Sequence, residues 1–175
     1  MKARQSHVCI AVITYLSVFI FCFAYTQQIS HISASVRTFT APVYKLPLLA
    51  GSYRITQEFS WYHPGYDMAT EYGSFVYPVA SGHVAEVGYE SYGYGRFIII
   101  EHEYGIRSLY AHLSIADVSV GEFVPVTKPI GRVGSTGRSS GPHLHLEIFS
   151  GDEKADPKAF LFDLYEPVAY AFKER

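Results

Sequence analysis

From Gly51 onward the chain never sustains the 3.6-residue apolar period of a long helix. Short runs of β-branched and aromatic residues alternate with glycine-rich turns instead. Residues 53–59 alternate in part; 83–89 follow the Ser81-Gly82 turn; 96–102 follow Tyr92-Gly93-Tyr94-Gly95; 106–113 follow Tyr104-Gly105. A short run at 130–133 and a strictly alternating one at 143–149 complete the set. Strands this short, separated by turns, predict a compact, mostly antiparallel β-sheet domain. Asp156 and Pro157 open a short terminal helix, as cap and first helical residue. The 15 tyrosines and 12 phenylalanines suit a β-rich core, and some could line a cleft.

The N-terminus is of another kind. Lys2 and Arg4 precede an 18-residue run without charge, residues 8–25. As a helix it would be about 27 Å long, near the hydrocarbon thickness of a bilayer. It reads as an N-terminal apolar helix, either an uncleaved signal anchor or a cleavable signal peptide (residues 1–25), and the anchor suits its length better. Either way, the basic flank stays inside and the remainder is extracytoplasmic: held at the membrane, or secreted to the periplasm or cell wall. Residues 26–49, polar with Pro42 and Pro47, read as a linker.

Charge and cysteine content narrow the chemistry. Lys2 and Arg4 are two of 14 basic residues, which leaves 12 against 16 acidic ones in the rest of the chain. That balance offers no basic face to nucleic acid. Both cysteines, Cys9 and Cys22, lie in the apolar run, so the domain has neither disulfide nor thiolate metal site. Any metal must be held by histidine and carboxylate.

Three segments carry such groups. His143 and His145 are two apart in an alternating run, so both project from one face of a strand while Leu144, Leu146 and Ile148 turn to the core. His63 and Asp67 are four apart, and because Pro64-Gly65 argues against a helix, a turn is expected to join them. His112 ends a predicted strand before a loop. A catalytic zinc keeps three protein ligands and one open position for water. Four histidines and one aspartate exceed that set, and the surplus would act on water beside the ion. Residue chemistry alone leaves open which of the five ligate.

These segments resemble the M23 family of metallopeptidases, the lysostaphin or LytM type. HPGYDMA from His63, LYAHLS from Leu109 and GSTGRSSGPHLHLE from Gly134 carry the resemblance. YPVASGHVAEVG, YGYGRFIIIEH and GEFVPVTKPIGRVG extend it across residues 50–160. It implies a zinc peptidase domain at 50–162, with a tail at 163–175. It implies one zinc ion on His63, Asp67 and His145, with His112 and His143 as the catalytic histidines. It also implies peptidoglycan as the partner, cut in its peptide stems or cross-bridges. Pro64 stands where the family often has a small residue, a change expected to be tolerated. Glu147 shares the face of His143 and His145; it could orient a ligand histidine or merely cap a sheet edge. His83 and His102 read as structural, His7 and His31 as incidental, and Trp61 and Tyr62 as packing or substrate-contacting residues. Two other functions fit the fold: a non-enzymatic regulator of wall hydrolases, against which the intact ligand set speaks, and a general protein-cleaving metallopeptidase.

Overall fold

The computed structural model describes residues 44–161. The apolar run, Cys9, Cys22, His7, His31, residues 26–43 of the expected linker and the 163–175 tail lie outside the described residues. Ten strands form one sheet: β1 (Arg54–Gln57), β2 (Tyr66–Ala69), β3 (Phe75–Val76), β4 (Gly82–Glu90), β5 (Gly95–Glu101), β6 (Ile106–Ala116), β7 (Phe123–Val124), β8 (Gly131–Val133), β9 (His143–Ser150) and β10 (Glu153–Ala155). A 3-10 turn (Glu103–Gly105) joins β5 to β6, and the short helix α1 (Pro157–Leu161) follows β10. All the pairings are antiparallel, in the order β1-β2-β9-β6-β5-β4-β7, with β10 on β9 and with β8 between β3 and β6. The Lys158 N–H donates to Asp156 Oδ1 at 2.9 Å, so Asp156 caps α1 as its sequence predicts. Among the described residues no helix is long and apolar enough to cross a membrane.

Alternation divides the sheet into two faces. On β9, Leu144, Leu146 and Ile148 are wholly buried in the main core, with Tyr66 and Met68 of β2 and Tyr110 of β6. Each such aliphatic side chain contributes about 1.5–3 kcal/mol by leaving water. Leu48, within the expected linker, also lies in this core. The opposite face carries Asp67, His143, His145 and Glu147, floored by a smaller cluster of Phe97, Leu109 and Ala111 with Tyr94 and Phe149 against it. β9 pairs with β2 over His143–Leu146 on one side and with β6 over His145–Ser150 on the other, and β10 continues the β2 side over Ile148–Ser150.

Three local outcomes differ from the sequence reading. Tyr66–Ala69 is a strand rather than part of a turn, because pairing with β9 overrides the preceding Pro64-Gly65. His102 lies one residue past β5 rather than within a strand. Glu147 caps no edge, because its strand is central and it is completely buried.

On the core side of the sheet His102 anchors a chain of polar groups that runs to Tyr110. Its Nδ1 lies 3.1 Å from the Ser81 carbonyl oxygen and its Nε2 2.7 Å from Ser108 Oγ. Ser108 Oγ meets Tyr110 Oη at 2.8 Å, and the Val79 N–H donates to that phenol at 2.7 Å. The two hydroxyls can each donate or accept, so a neutral His102 leaves no member without a partner. Burial lowers the His102 pKa against the opposing bond to Ser81.

Candidate metal centre

Strand register brings the first two groups together. Asp67 on β2 is directly opposite His145 on β9, and Asp67 Oδ1 lies 2.7 Å from His145 Nδ1. Residues so placed have Cβ atoms about 5 Å apart, which suits two short polar side chains reaching one point. His63 arrives from the turn before β2, where Ser60 and His63 exchange backbone hydrogen bonds of 2.8 and 3.2 Å. Its Nε2 lies 3.2 Å from Asp67 Oδ1. The approach requires Gly65: a Cβ there would stand 2.5 Å from the Leu146 carbonyl oxygen and 2.8 Å from the His145 ring.

The hydrogen bonds behind these rings decide what they present. The Glu58 carbonyl accepts only, so His63 Nδ1, 3.1 Å away, carries the proton and Nε2 holds a lone pair. Glu147 Oε1 lies 3.1 Å from His145 Nε2, which donates to it, and Nδ1 faces Asp67. Two imidazole nitrogens and a carboxylate oxygen thus converge, all within 4.8 Å of one another. Such a cluster calls for positive charge at its centre. A proton can supply it: burial opposes charge on His145, but Asp67 and Glu147 on either side outweigh burial and raise its pKa. Burial likewise pushes Asp67 up, yet His145 and the neighbouring imidazoles hold it below its ordinary value. A divalent cation fits better, because one histidine, one carboxylate and a second histidine are a donor set that suits zinc.

His112 reaches the same groove by a different device. β6 pairs with β9 up to Ala111 and with β8 from Leu113, along one edge, and the register against β5 shifts across the same residues. At this bulge His112 adopts φ of 60°, a left-handed conformation uncommon outside glycine. The bulge turns its ring toward the site; the ring centroid is 4.7 Å from that of His143 and 5.8 Å from that of His145. Backbone strain of this kind costs about 1–3 kcal/mol and gathers at functional sites. It is held by neighbours: the His112 N–H donates to the Tyr94 carbonyl at 2.8 Å, and Nδ1 lies 2.8 Å from the Thr136 carbonyl oxygen. The Tyr94 and Thr136 loops meet backbone to backbone, since a Cβ on Gly137 would lie 2.2 Å from the Gly95 nitrogen. His143 Nδ1 is tied in the same way to the Gly141 carbonyl at 2.8 Å. Both histidines therefore turn Nε2 toward the groove. Burial lowers the His112 pKa to about 4, against the opposing Thr136 bond, so the ring is neutral at pH 7.

All five residues of the three sequence segments meet around one groove, and His83 does not belong to it. Sequence reasoning missed Tyr94, whose Oη donates to Glu147 Oε1 at 2.8 Å; only its setting between two glycines marks it. It also missed Lys154, whose Nζ is 2.9 Å from Glu147 Oε2. Burial works against charge on Glu147, but His145, Lys154 and Tyr94 outweigh it and lower its pKa. Gln57, Tyr62, Glu90 and Arg138 line the outer groove.

Comparison with known proteins agrees with this geometry. Lysostaphin of Staphylococcus simulans is 39% identical over 104 residues, 57% of this chain and 21% of the relative. Its solved structure superposes with a TM-score of 0.64 at 28% identity, covering 78% of this chain and 60% of that one. The DD-carboxypeptidase/endopeptidase Mpg of Neisseria meningitidis is 41% identical over 95 residues, 54% of this chain and 22% of the relative. A zinc-containing peptidase from Vibrio cholerae superposes with a TM-score of 0.62 at 30% identity, over 65% of this chain and 39% of that one. The chain thus spans about a fifth of the length of the curated relatives it matches. Residues 61–157 match the profile of peptidase family M23, more than half of the 175 residues, and the chain belongs to that family.

Proposed function

We propose that this chain is a zinc-dependent endopeptidase that hydrolyses peptide bonds in the stems or cross-bridges of peptidoglycan. The observation that carries the reading is the convergence of His63 Nε2, Asp67 Oδ1 and His145 Nδ1, with two further histidines beside them whose Nε2 atoms face the groove. Names of relatives point to the substrate, among them the peptidoglycan DD-endopeptidase ShyB of Vibrio cholerae and the glycyl-glycine endopeptidase ALE-1 of Staphylococcus capitis. Export through residues 1–25, as anchor or signal peptide, would deliver the domain to that polymer.

In this reading His63, Asp67 and His145 hold the zinc. When bound, zinc supplies Lewis-acid activation of water and of the scissile carbonyl. The chain's own residues handle the protons. No glutamate stands beside a ligand histidine in an HExxH arrangement, so base catalysis falls to the Nε2 lone pair of His112 or His143. That nitrogen takes a proton from the attacking water and returns it to the departing amine. The other histidine would steady the oxyanion of the tetrahedral species only with a proton on its own Nε2, the ring then donating to the oxyanion as well as to its backbone carbonyl. Glu147 accepts from His145 Nε2 and thereby keeps Nδ1 turned to the ligand cluster.

The test is digestion of purified peptidoglycan by the purified chain, with fragments identified by mass. Release of new amino termini that depends on zinc supports the reading. Intact wall after incubation with the zinc-loaded chain would refute it, and cleavage of casein alone would favour a general peptidase.

A further inference from the structure

We propose that Lys154, on β10, is a positioning residue for the metal centre: it holds the Glu147 carboxylate so that Oε1 fixes the His145 ring with Nδ1 toward the ligand cluster. The proposal rests on the zinc reading above and adds a residue that none of the family-like segments contains.

The argument begins with register. β10 pairs with β9 through Lys154 opposite Phe149, and Phe149 lies on the face of His143, His145 and Glu147. Lys154 is thus the diagonal cross-strand neighbour of Glu147, within reach of a long side chain. Its Nζ lies over the Phe149 ring, 5.5 Å from the centroid, at the solvent edge of this face. There Nζ meets Glu147 Oε2 at 2.9 Å and Tyr94 Oη at 3.3 Å.

The two oxygens of Glu147 are used differently. Oε1 receives His145 Nε2 at 3.1 Å and Tyr94 Oη at 2.8 Å. Among the described residues nothing hydrogen-bonds to Oε2, and its partner is the Lys154 ammonium in an ion pair. A carboxylate turns broadly about its last torsion. Held at one oxygen only, Glu147 could rotate and offer either oxygen to His145. Held at both, it presents Oε1 alone at a fixed angle, and the imidazole it supports is fixed with it. Glu147 is completely buried with Lys154 in place, so removing the lysine strips a buried carboxylate of its cation.

The experiment compares full-length wild type with Lys154→Met, Lys154→Gln and Lys154→Arg. Zinc affinity is measured by chelator competition, and metal-free melting and hydrolysis of peptidoglycan are followed alongside. Lys154→Met should bind zinc about 10–100-fold more weakly, the range for loss of a group that supports a ligand. Lys154→Arg, which keeps a cation able to pair with Oε2, should recover most of that loss. Lys154→Gln has similar length without charge, should resemble Lys154→Met, and serves if Lys154→Met does not fold. Wild-type zinc affinity in Lys154→Met or Lys154→Gln would overturn the proposal. So would equal loss in all three variants with matching falls in metal-free melting, which marks a packing role. A wild-type chain that takes up no zinc would sink the metal reading itself, whereas zinc binding by wild type with no effect of Lys154 sinks only this inference.

Discussion

Two histidine systems use opposite faces of this sheet, and both tie a ring nitrogen to a backbone carbonyl. His102 pairs Nδ1 with Ser81 and Nε2 with Ser108, and its chain ends at a phenol that accepts from Val79. His63 pairs Nδ1 with Glu58, but its Nε2 then faces the carboxylate of Asp67 at 3.2 Å. The first system is complete with neutral groups. The second gathers acceptors that no neutral arrangement of its own protons satisfies. A closed set of hydrogen bonds needs nothing more and stabilises the fold; converging lone pairs need a cation and hence mark a site. The contrast separates a structural histidine from a ligand better than burial does, since His102 and His63 are both half-buried.

The largest effect expected of that contrast is at His145. His145→Ala should lower zinc affinity by more than about 100-fold, beyond the loss from removing a mere supporting group. It should also abolish wall cleavage. Zinc at 1,000 times its dissociation constant stabilises a folded binder by about 4 kcal/mol, so melting with and without zinc reads the difference directly. Wild-type melting should rise on addition of zinc, and the variant's should rise by less than half as much. A variant raised by zinc as much as wild type would break the comparison.

His112 divides the site within itself. Its bulge points an Nε2 lone pair to the groove, while the close convergence with Asp67 belongs to His63 and His145. His112→Ala should keep the zinc-dependent rise in melting and lose about 10²–10⁴-fold in kcat, the contribution of a positioned acid–base group. Loss of zinc together with activity would show that the division between ligands and proton-handling groups is misdrawn.

Tyr110 probes the other system. Tyr110→Phe deletes the acceptor of a buried Val79 N–H and a neighbour of Ser108. Leaving such a donor unmet costs about 1–3 kcal/mol. Urea unfolding should move by that amount, while zinc affinity stays at the wild-type value. A change in zinc affinity would mean that the two faces of the sheet are coupled.

How much of this was legible in the chain follows from the range of the interactions. The alternation of His143, Leu144, His145, Leu146 and Glu147 is local, and it told strand, face and core side correctly. The terminal cap was local too: Asp156 and Pro157 did what their types prefer. β2 and β10 escaped because Tyr66-Asp67-Met68-Ala69 and Glu153-Lys154-Ala155 owe their extended form to pairing with β9, dozens of residues away in one case. The turn expected between His63 and Asp67 was half right, since His63 closes a turn and Asp67 belongs to the strand after it. Nothing in LYAHLS announces that His112 sits on a bulge, because a bulge is a property of two neighbouring strands and their register. Lys154 was invisible for the same reason: its role depends on which residue of β9 it faces.

The smallest expected effect is a slope rather than a level. Burial lowers the His102 pKa below its ordinary value of 6.5. Above 6.5 the ring is neutral in both folded and unfolded chains, and it contributes no pH dependence. As pH falls below 6.5, the unfolded chain takes up a proton that the folded one refuses, so stability declines until the folded ring also titrates. Carboxylates add acid losses of their own, and a difference between two proteins removes them. Urea unfolding of wild type and His102→Gln, from pH 7.5 to 5.5 with chelator present to set zinc aside, should start with the variant less stable. The gap should narrow toward acid, because only wild type carries the His102 penalty. Parallel curves would mean that His102 keeps its ordinary proton affinity, and the satisfied chain would then owe nothing to a neutral ring.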